Sequence, residues 1–274
     1  MTPMEAATES LRAAVAARRW YHTLELPGGV TTPGEYDMRG VLDRVPLPAS
    51  LAGKRCLDVG THDGFWAFEM ERRGASEVVA MDLEDVDRLD FPRPRPELTD
   101  EMREEITARK QAFWVAHRAL GSQIEHRNLS VYDLDPDVVG TFDFITLGTL
   151  LLHLRDPAGA LMAVNSVADG YLLVNEPVSL SLTLLRPRAP AAKLIDLDRE
   201  PLWWVPNSAA LGRLVRAAGF EFVDIGGPYL VPHGAGYDRR PLQRGLHGHG
   251  LLRQFLQRRG MPHVWILGRS RTEG

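Results

Sequence analysis

The chain has 274 residues, a formal charge of −4, 44% hydrophobic and 25% charged residues. This is ordinary globular composition, and it excludes a globally basic surface for nucleic acid. A single cysteine, Cys56, excludes an internal disulfide framework and fits a reducing compartment. No apolar run is long enough to span a bilayer or form a signal-peptide core, so a cytoplasmic protein is expected.

Residues 5–19 are expected to form a short helix with Leu11 and Val15 on one side. Trp20-Tyr21-His22 and a turn-rich stretch follow, and the first fifty residues read as a lid over the rest. The core begins at Lys54. Arg55 to Val59 is a short apolar strand, Gly60 to Gly64 a loop, Phe65 to Arg73 a helix, and Val78 to Asp82 a second strand. Residues 97–120 read as an amphipathic helix with Thr99 able to cap it. Ile124 to Asn128, Phe142 to Leu147 and Tyr171 to Asn175 are further strands. Asp156-Pro157 opens one helix, and Asn207 caps another that ends at Gly219. Phe220 to Ile225 and His263 to Leu267 are expected to be a terminal antiparallel pair. The alternation predicts an α/β, Rossmann-like, seven-stranded and mostly parallel sheet with helices on both faces. The main domain is expected to run from 51 to 274, interrupted by insertions at about 178–206 and 228–261.

The loop Gly60-Thr61-His62-Asp63-Gly64 carries the strongest signal. Glycines admit a ligand close to the backbone, and the helix that follows favours polar or negative groups at its N-terminus. Asp82, about twenty residues on at the end of the next strand, is placed to bind two ribose hydroxyls. The same spacing serves a dinucleotide, but His62 stands where that fingerprint has its second glycine. Four acids, Asp82, Glu84, Asp85 and Asp87, read as a solvated run rather than a metal site. His247 and His249 are too loosely placed for a transition-metal site. The arginines of 239–259 read as a solvated face.

Leu57-Asp58-Val59-Gly60-Thr61-His62-Asp63-Gly64-Phe65 resembles motif I of class I S-adenosylmethionine (SAM) methyltransferases. Several segments are similar to a bacterial group related to the enzymes that carboxymethylate the tRNA wobble uridine. These include Glu71 to Ala75, Gly148 to Pro157, and Trp203-Trp204-Val205-Pro206-Asn207. The resemblance implies SAM as cofactor, S-adenosylhomocysteine as its product, and a SAM-dependent methyltransferase. It places Asp58, Gly60, Thr61, His62, Asp63 and Gly64 around the methionine part of SAM. Asp82 would hold the ribose, with Leu83, Ser130 and Val131 by the adenine. Leu147, Gly148 and Thr149 would border the sulfonium and the acceptor. The tRNA-modifying relatives carry a tyrosine just before the histidine of the Gly148 segment, where this chain has Leu152.

His153 is the first candidate for a general base, because imidazole titrates near neutral pH. The alternative is a structural histidine holding its own turn. His22, brought in by the lid beside Tyr21, is the second candidate. Arg39 can pair with the SAM carboxylate or stand in solvent. Trp203 and Trp204 can wall an acceptor together with Tyr21 and Leu152, or pack the late insertion onto the core. A small-molecule acceptor, such as a specialised metabolite, is favoured over RNA by the acidic charge and the aromatic insertion. A tRNA (carboxy)methyltransferase and a non-catalytic SAM-fold protein remain the other readings. No metal, nucleic-acid or membrane partner is expected.

Overall fold

The computed structural model describes residues 2–92, 97–195, 202–238 and 259–271. The N-terminal segment holds α1 (Pro3–Ala16) and four short strands: β1 (Trp20–His22), β2 (Glu25–Leu26), β3 (Val30–Thr31) and β4 (Gly34–Tyr36). Helix α1 starts earlier than its apolar spacing suggests, because Thr2 and Glu5 form a reciprocal capping box. It also ends earlier. Trp20 enters a strand and is buried, with its indole N–H donating to the Val15 carbonyl at 3.0 Å. β1 and β4 pair in parallel, with His22 opposite Tyr36. Gly34 is required there: a Cβ would lie 2.2 Å from the His22 carbonyl carbon.

The core alternates as expected: β5 (Arg55–Val59), α2 (Phe65–Arg72), β6 (Glu77–Asp82), α3 (Asp100–Leu120), β7 (Glu125–Asn128), α4 (Pro136–Val139), β8 (Phe142–Gly148), α5 (Pro157–Ser166) and β9 (Ala168–Pro177). Next come α6 (Leu180–Leu185), the hairpin β10 (Ala192–Leu194) and β11 (Trp204–Pro206), then α7 (Ser208–Ala217), β12 (Glu221–Val231) and β13 (Met261–Arg269). The central sheet has seven strands in the order β12-β13-β9-β8-β5-β6-β7. The β7–β6–β5–β8–β9 pairings are parallel, and β13 joins β9 and β12 antiparallel. The order turns back on either side of β5. Its carboxyl end is therefore a switch point, where open α/β sheets bind ligands.

Side-chain caps fix the helix starts. Thr99 accepts from the Met102 N–H, Asp156 from Gly159 and Asn207 from Ala210. Two clusters cover the sheet. One joins Val15, Trp20, Tyr36, Trp66, Phe113 and Tyr229. The other joins Val59, Leu147, Leu161, Val174, Leu211 and Ile266. The first cluster spans the N-terminal segment, α2 and α3, so the lid shares a core with the domain beneath it.

β9, β12 and β13 are longer than their sequence patterns suggest. β9 runs for ten residues, of which Tyr171 to Pro177 pair with β13, and irregularities at Phe222/Asp224 and Gly226/Tyr229 let β12 pass its glycines without ending. The insertion expected at 228–261 is correspondingly shorter, because Val231 and Met261 already belong to the sheet. His247, His249 and most of the 239–259 arginines lie outside the described residues. No described helix is long and apolar enough to cross a membrane.

Candidate active site

β5 delivers the loop to the sheet edge. Gly60 has φ +76° and Gly64 φ +93°, and a Cβ on Gly64 would lie 2.3 Å from a Phe68 ring carbon. His62 also has a left-handed φ, +53°, which a non-glycine residue adopts at a cost and which concentrates at functional sites. The backbone donors differ from expectation. The Gly60 and Thr61 N–H groups both donate to the Met81 carbonyl at 2.9 Å, and Gly64 donates to Thr61 at 2.8 Å. The first two amides brace the loop against β6 and the third closes the loop on itself, rather than facing a ligand. Asp58 is buried with its Oδ1 taking the Thr146 hydroxyl at 2.8 Å, and burial pushes its carboxyl up to about 6.

Asp63 does not line the donor site as expected. It is 0% exposed, and both oxygens are engaged by the lid. Oδ2 accepts the Tyr21 and His22 N–H groups at 2.8 Å each, and Oδ1 meets His22 Nδ1. Burial pushes this carboxyl up, but the His22 charge and bonds outweigh it and the net shift is downward. His62 is pushed down by burial, against the Asp63 charge.

At the end of β6, Asp82 Oδ1 accepts the Leu83 N–H at 2.7 Å and Lys110 Nζ at 3.1 Å. Lys110 also donates to the Leu83 carbonyl. Lys110 had no assigned role in the sequence. Ser130 caps the turn Val131–Asp133 by accepting from Tyr132, and Val131 is buried in the second core cluster. Arg39 donates to Asp37 at 2.7 and 2.9 Å and to Glu25 at 2.8 Å, so it is not the SAM carboxylate partner.

β8 ends in Leu147, whose side chain is core, and Gly148, where a Cβ would lie 2.8 Å from the Trp66 indole nitrogen. Thr149 follows with φ +55°. Its hydroxyl lies 3.4 Å from His263 Nε2. His263 Nδ1 donates to the Met261 carbonyl at 2.9 Å, and burial pushes the ring down to about 4. Its Nε2 is therefore a neutral acceptor. Beside it Asn175 accepts the Tyr229 hydroxyl through Oδ1. The next residue, Glu176, is buried, and its Oε1 accepts the Leu150 and Leu151 N–H groups at 2.6 and 3.0 Å. Burial raises this carboxyl to about 8. His263, Asn175 and Glu176 went unassigned in the sequence. The signal was present in Asn175-Glu176, a polar pair closing an apolar strand at the ligand edge, but the strand was expected to stop at Asn175.

His153 closes the short turn Leu151–His153, half-buried, with its N–H on the Leu150 carbonyl at 2.9 Å. Leu150 packs over Gly60, its side chain 3.2 Å from where a Gly60 Cβ would stand. Leu152 is buried, and its carbonyl accepts the Trp203 N–H at 2.9 Å. The Trp203 indole donates to the Asp90 carbonyl at 2.8 Å and that of Trp204 to Leu154 at 3.1 Å. Both tryptophans thus pin the late insertion onto the core. Trp204 borders an apolar cavity of about 290 Å³ with Leu151, Pro206 and Leu214.

Above the edge stand aromatic rings from the lid and from the segment that follows β12. Tyr21 lies 5.0 Å from His62 and 5.1 Å from Tyr36, and Tyr36 lies 5.6 Å from His233 and 6.0 Å from Tyr237. Burial, then Tyr36, push the Tyr21 phenol well above its usual range, which keeps it a neutral donor.

The sheet order, the braced glycine loop and the strand-end acid define a class I nucleotide-type methyltransferase site. Comparison with known proteins agrees. Residues 34–225 match the family described as a methyltransferase domain, and the chain belongs to that family. A ubiquinone biosynthesis O-methyltransferase from Xanthomonas euvesicatoria pv. vesicatoria is 28% identical over 70% of this chain and 72% of its own. A tRNA U34 carboxymethyltransferase from Pseudomonas aeruginosa is also 28% identical, over 70% of this chain but only 52% of that protein. Among solved structures, the N-terminal domain of EvdMO1, crystallised in the presence of S-adenosylhomocysteine and D-fucose, shares the fold. Its TM-score is 0.54 at 19% identity, covering 97% of each chain.

The protein is a SAM-dependent methyltransferase, and its residues fit that cofactor. His62 Nδ1 and Asn175 Nδ2 are buried without hydrogen-bond partners among the described residues, one on each side of the β5–β8 switch point. Such groups cost about 1–3 kcal/mol each unless a ligand satisfies them. When bound, SAM supplies an activated methyl group.

Proposed function

We propose that the methyl acceptor is a small molecule, a planar or hydroxylated compound of specialised metabolism. The aromatic enclosure of Tyr21, Tyr36, His233 and Tyr237 over the end of β8 carries this reading. Clustered aromatic rings supply flat apolar faces for a planar acceptor, and the chain's net charge is negative. In this reading Gly60, Thr61 and His62 shape the donor's methionine side, and Asp82 with Leu83 holds the ribose side. Gly148 and Thr149 border the acceptor. His153, on the turn anchored by Glu176, takes the proton where the nucleophile starts protonated. Alignment of the two reactants in a lid-covered site supplies most of the acceleration, about 7–11 kcal/mol in favourable intramolecular models.

Incubation with labelled SAM and extracts of candidate metabolite producers, followed by mass spectrometry, tests the acceptor class. A labelled small product is expected, and label confined to RNA would overturn the proposal. Filter binding to bulk tRNA should be weak and insensitive to salt, in contrast with the steep decline of a phosphate-binding surface. Replacing Asp82 by alanine removes the ribose-side acceptor and is expected to weaken S-adenosylhomocysteine binding about tenfold or more. A ligand-induced melting shift equal to wild type would exclude that role.

A further inference from the structure

The loop that shapes the donor's methionine side has few groups left to meet a carboxylate. The Gly60 and Thr61 amides are taken by the Met81 carbonyl and the Gly64 amide by that of Thr61. The basic side chains around it are paired as well: Arg39 with Asp37 and Glu25, Arg109 with Glu35 and Glu105, and Lys110 with Asp82. A carboxylate brought into such a place without a cationic or hydrogen-bonding partner is strongly disfavoured.

His22 is placed to be that partner. The lid lowers it onto the loop, its ring 5.3 Å from Phe65 at the start of α2 and 4.8 Å from Tyr21. It is 6% exposed. Nδ1 is directed at the buried Asp63 carboxylate, which can only accept, so Nδ1 carries a proton. No hydrogen bond joins Nε2 to any described residue.

We propose that His22 is a donor-binding residue: its Nε2–H donates to the carboxylate of the donor's methionine moiety while Nδ1–H donates to Asp63. One imidazolium then lies between two carboxylates, and Asp63 acts as the positioning residue. His22 binds the donor in this arrangement and takes no proton from the acceptor. The inference rests on the donor site described above.

Calorimetric titration with two probes tests it: S-adenosylhomocysteine, and its methyl ester, which keeps the ammonium but loses the carboxylate charge. Wild-type protein should bind the acid about tenfold or more tighter than the ester, the scale of a charged hydrogen bond. In His22→Asn and His22→Gln that preference should collapse to within about threefold, with ester affinity close to wild type. Equal weakening of both probes means that His22 only shapes the lid, and overturns the proposal. A preference retained in either folded variant overturns it too. Should neither variant fold, a wild-type preference below about threefold is sufficient to reject it. Wild-type protein that binds neither probe would instead remove the donor site itself, and the proposal with it.

Discussion

Replacing Asp63 by alanine is expected to destabilise the protein by about 3–5 kcal/mol, the range for removing one partner of a buried charged network. The carboxylate is fully buried and receives two backbone N–H groups at 2.8 Å and the His22 ring. Truncation leaves those donors facing an apolar void, which costs more than the bonds themselves contribute. For a chain of this size the melting temperature should fall by roughly 10 °C. Asp63→Asn retains one acceptor oxygen and should fall between the two. Since the folded-state pKa of Asp63 is lowered, its contribution is complete at neutral pH and is lost as pH drops through the acid range below that of an ordinary aspartate. Scanning calorimetry of wild type and variant at pH 7 checks the magnitude. A loss under 1 kcal/mol would mean that the lid is held by its apolar contacts alone. Turnover should fall with stability, because the same three bonds hold Tyr21 and His22 over the loop.

The sheet was legible because buried parallel strands are short, apolar and bounded by glycines, and the acid-tipped strand after the Gly60 loop has a fixed spacing. The loop's location was legible for the same reason, but its hydrogen bonding was not. Which amides face inward depends on Met81, whose carbonyl takes two of them, and that pairing is a tertiary fact. Asp63 illustrates the limit. Within its motif it reads as a donor-site acid, while its partners lie 41 and 42 residues upstream on a three-residue strand. Trp203 and Trp204 were legible as important and ambiguous in role, since an indole can wall a pocket or donate to a carbonyl. Lys110 sits in an amphipathic helix full of charges, and nothing local distinguishes it from a solvated lysine. Only the approach of α3 to β6 brings it to Asp82.

Glu176 should make the protein's stability fall as pH rises from 4.5 to about 8, and Glu176→Gln should remove that fall. Burial raises the carboxyl from 4.5 to about 8 in the folded state, with the Leu151 and Leu150 N–H groups opposing the shift. A carboxyl raised on folding favours the native state when protonated. Its contribution is therefore full below the unfolded value and declines as pH rises through the window from 4.5 to about 8. The decline is at most roughly 1.4 kcal/mol per pH unit, and the total is on the order of a few kcal/mol. Glutamine resembles the neutral acid and keeps an oxygen for the two amides. Relative to wild type, the variant should gain stability through that window and level off above it. Chemical denaturation at pH 5, 7 and 9 gives the comparison, and a difference independent of pH would show that the ionised carboxylate is accommodated at no cost. Alanine is the contrasting change. It leaves the Leu150 and Leu151 amides without an acceptor at every pH, costing about 2–4 kcal/mol by the usual penalty for such groups. Those amides open the turn that carries His153 and hold Leu150 against Gly60. Loss of donor binding in Glu176→Ala, with retention in Glu176→Gln, would thus show that β9 supports the loop through this one carboxyl.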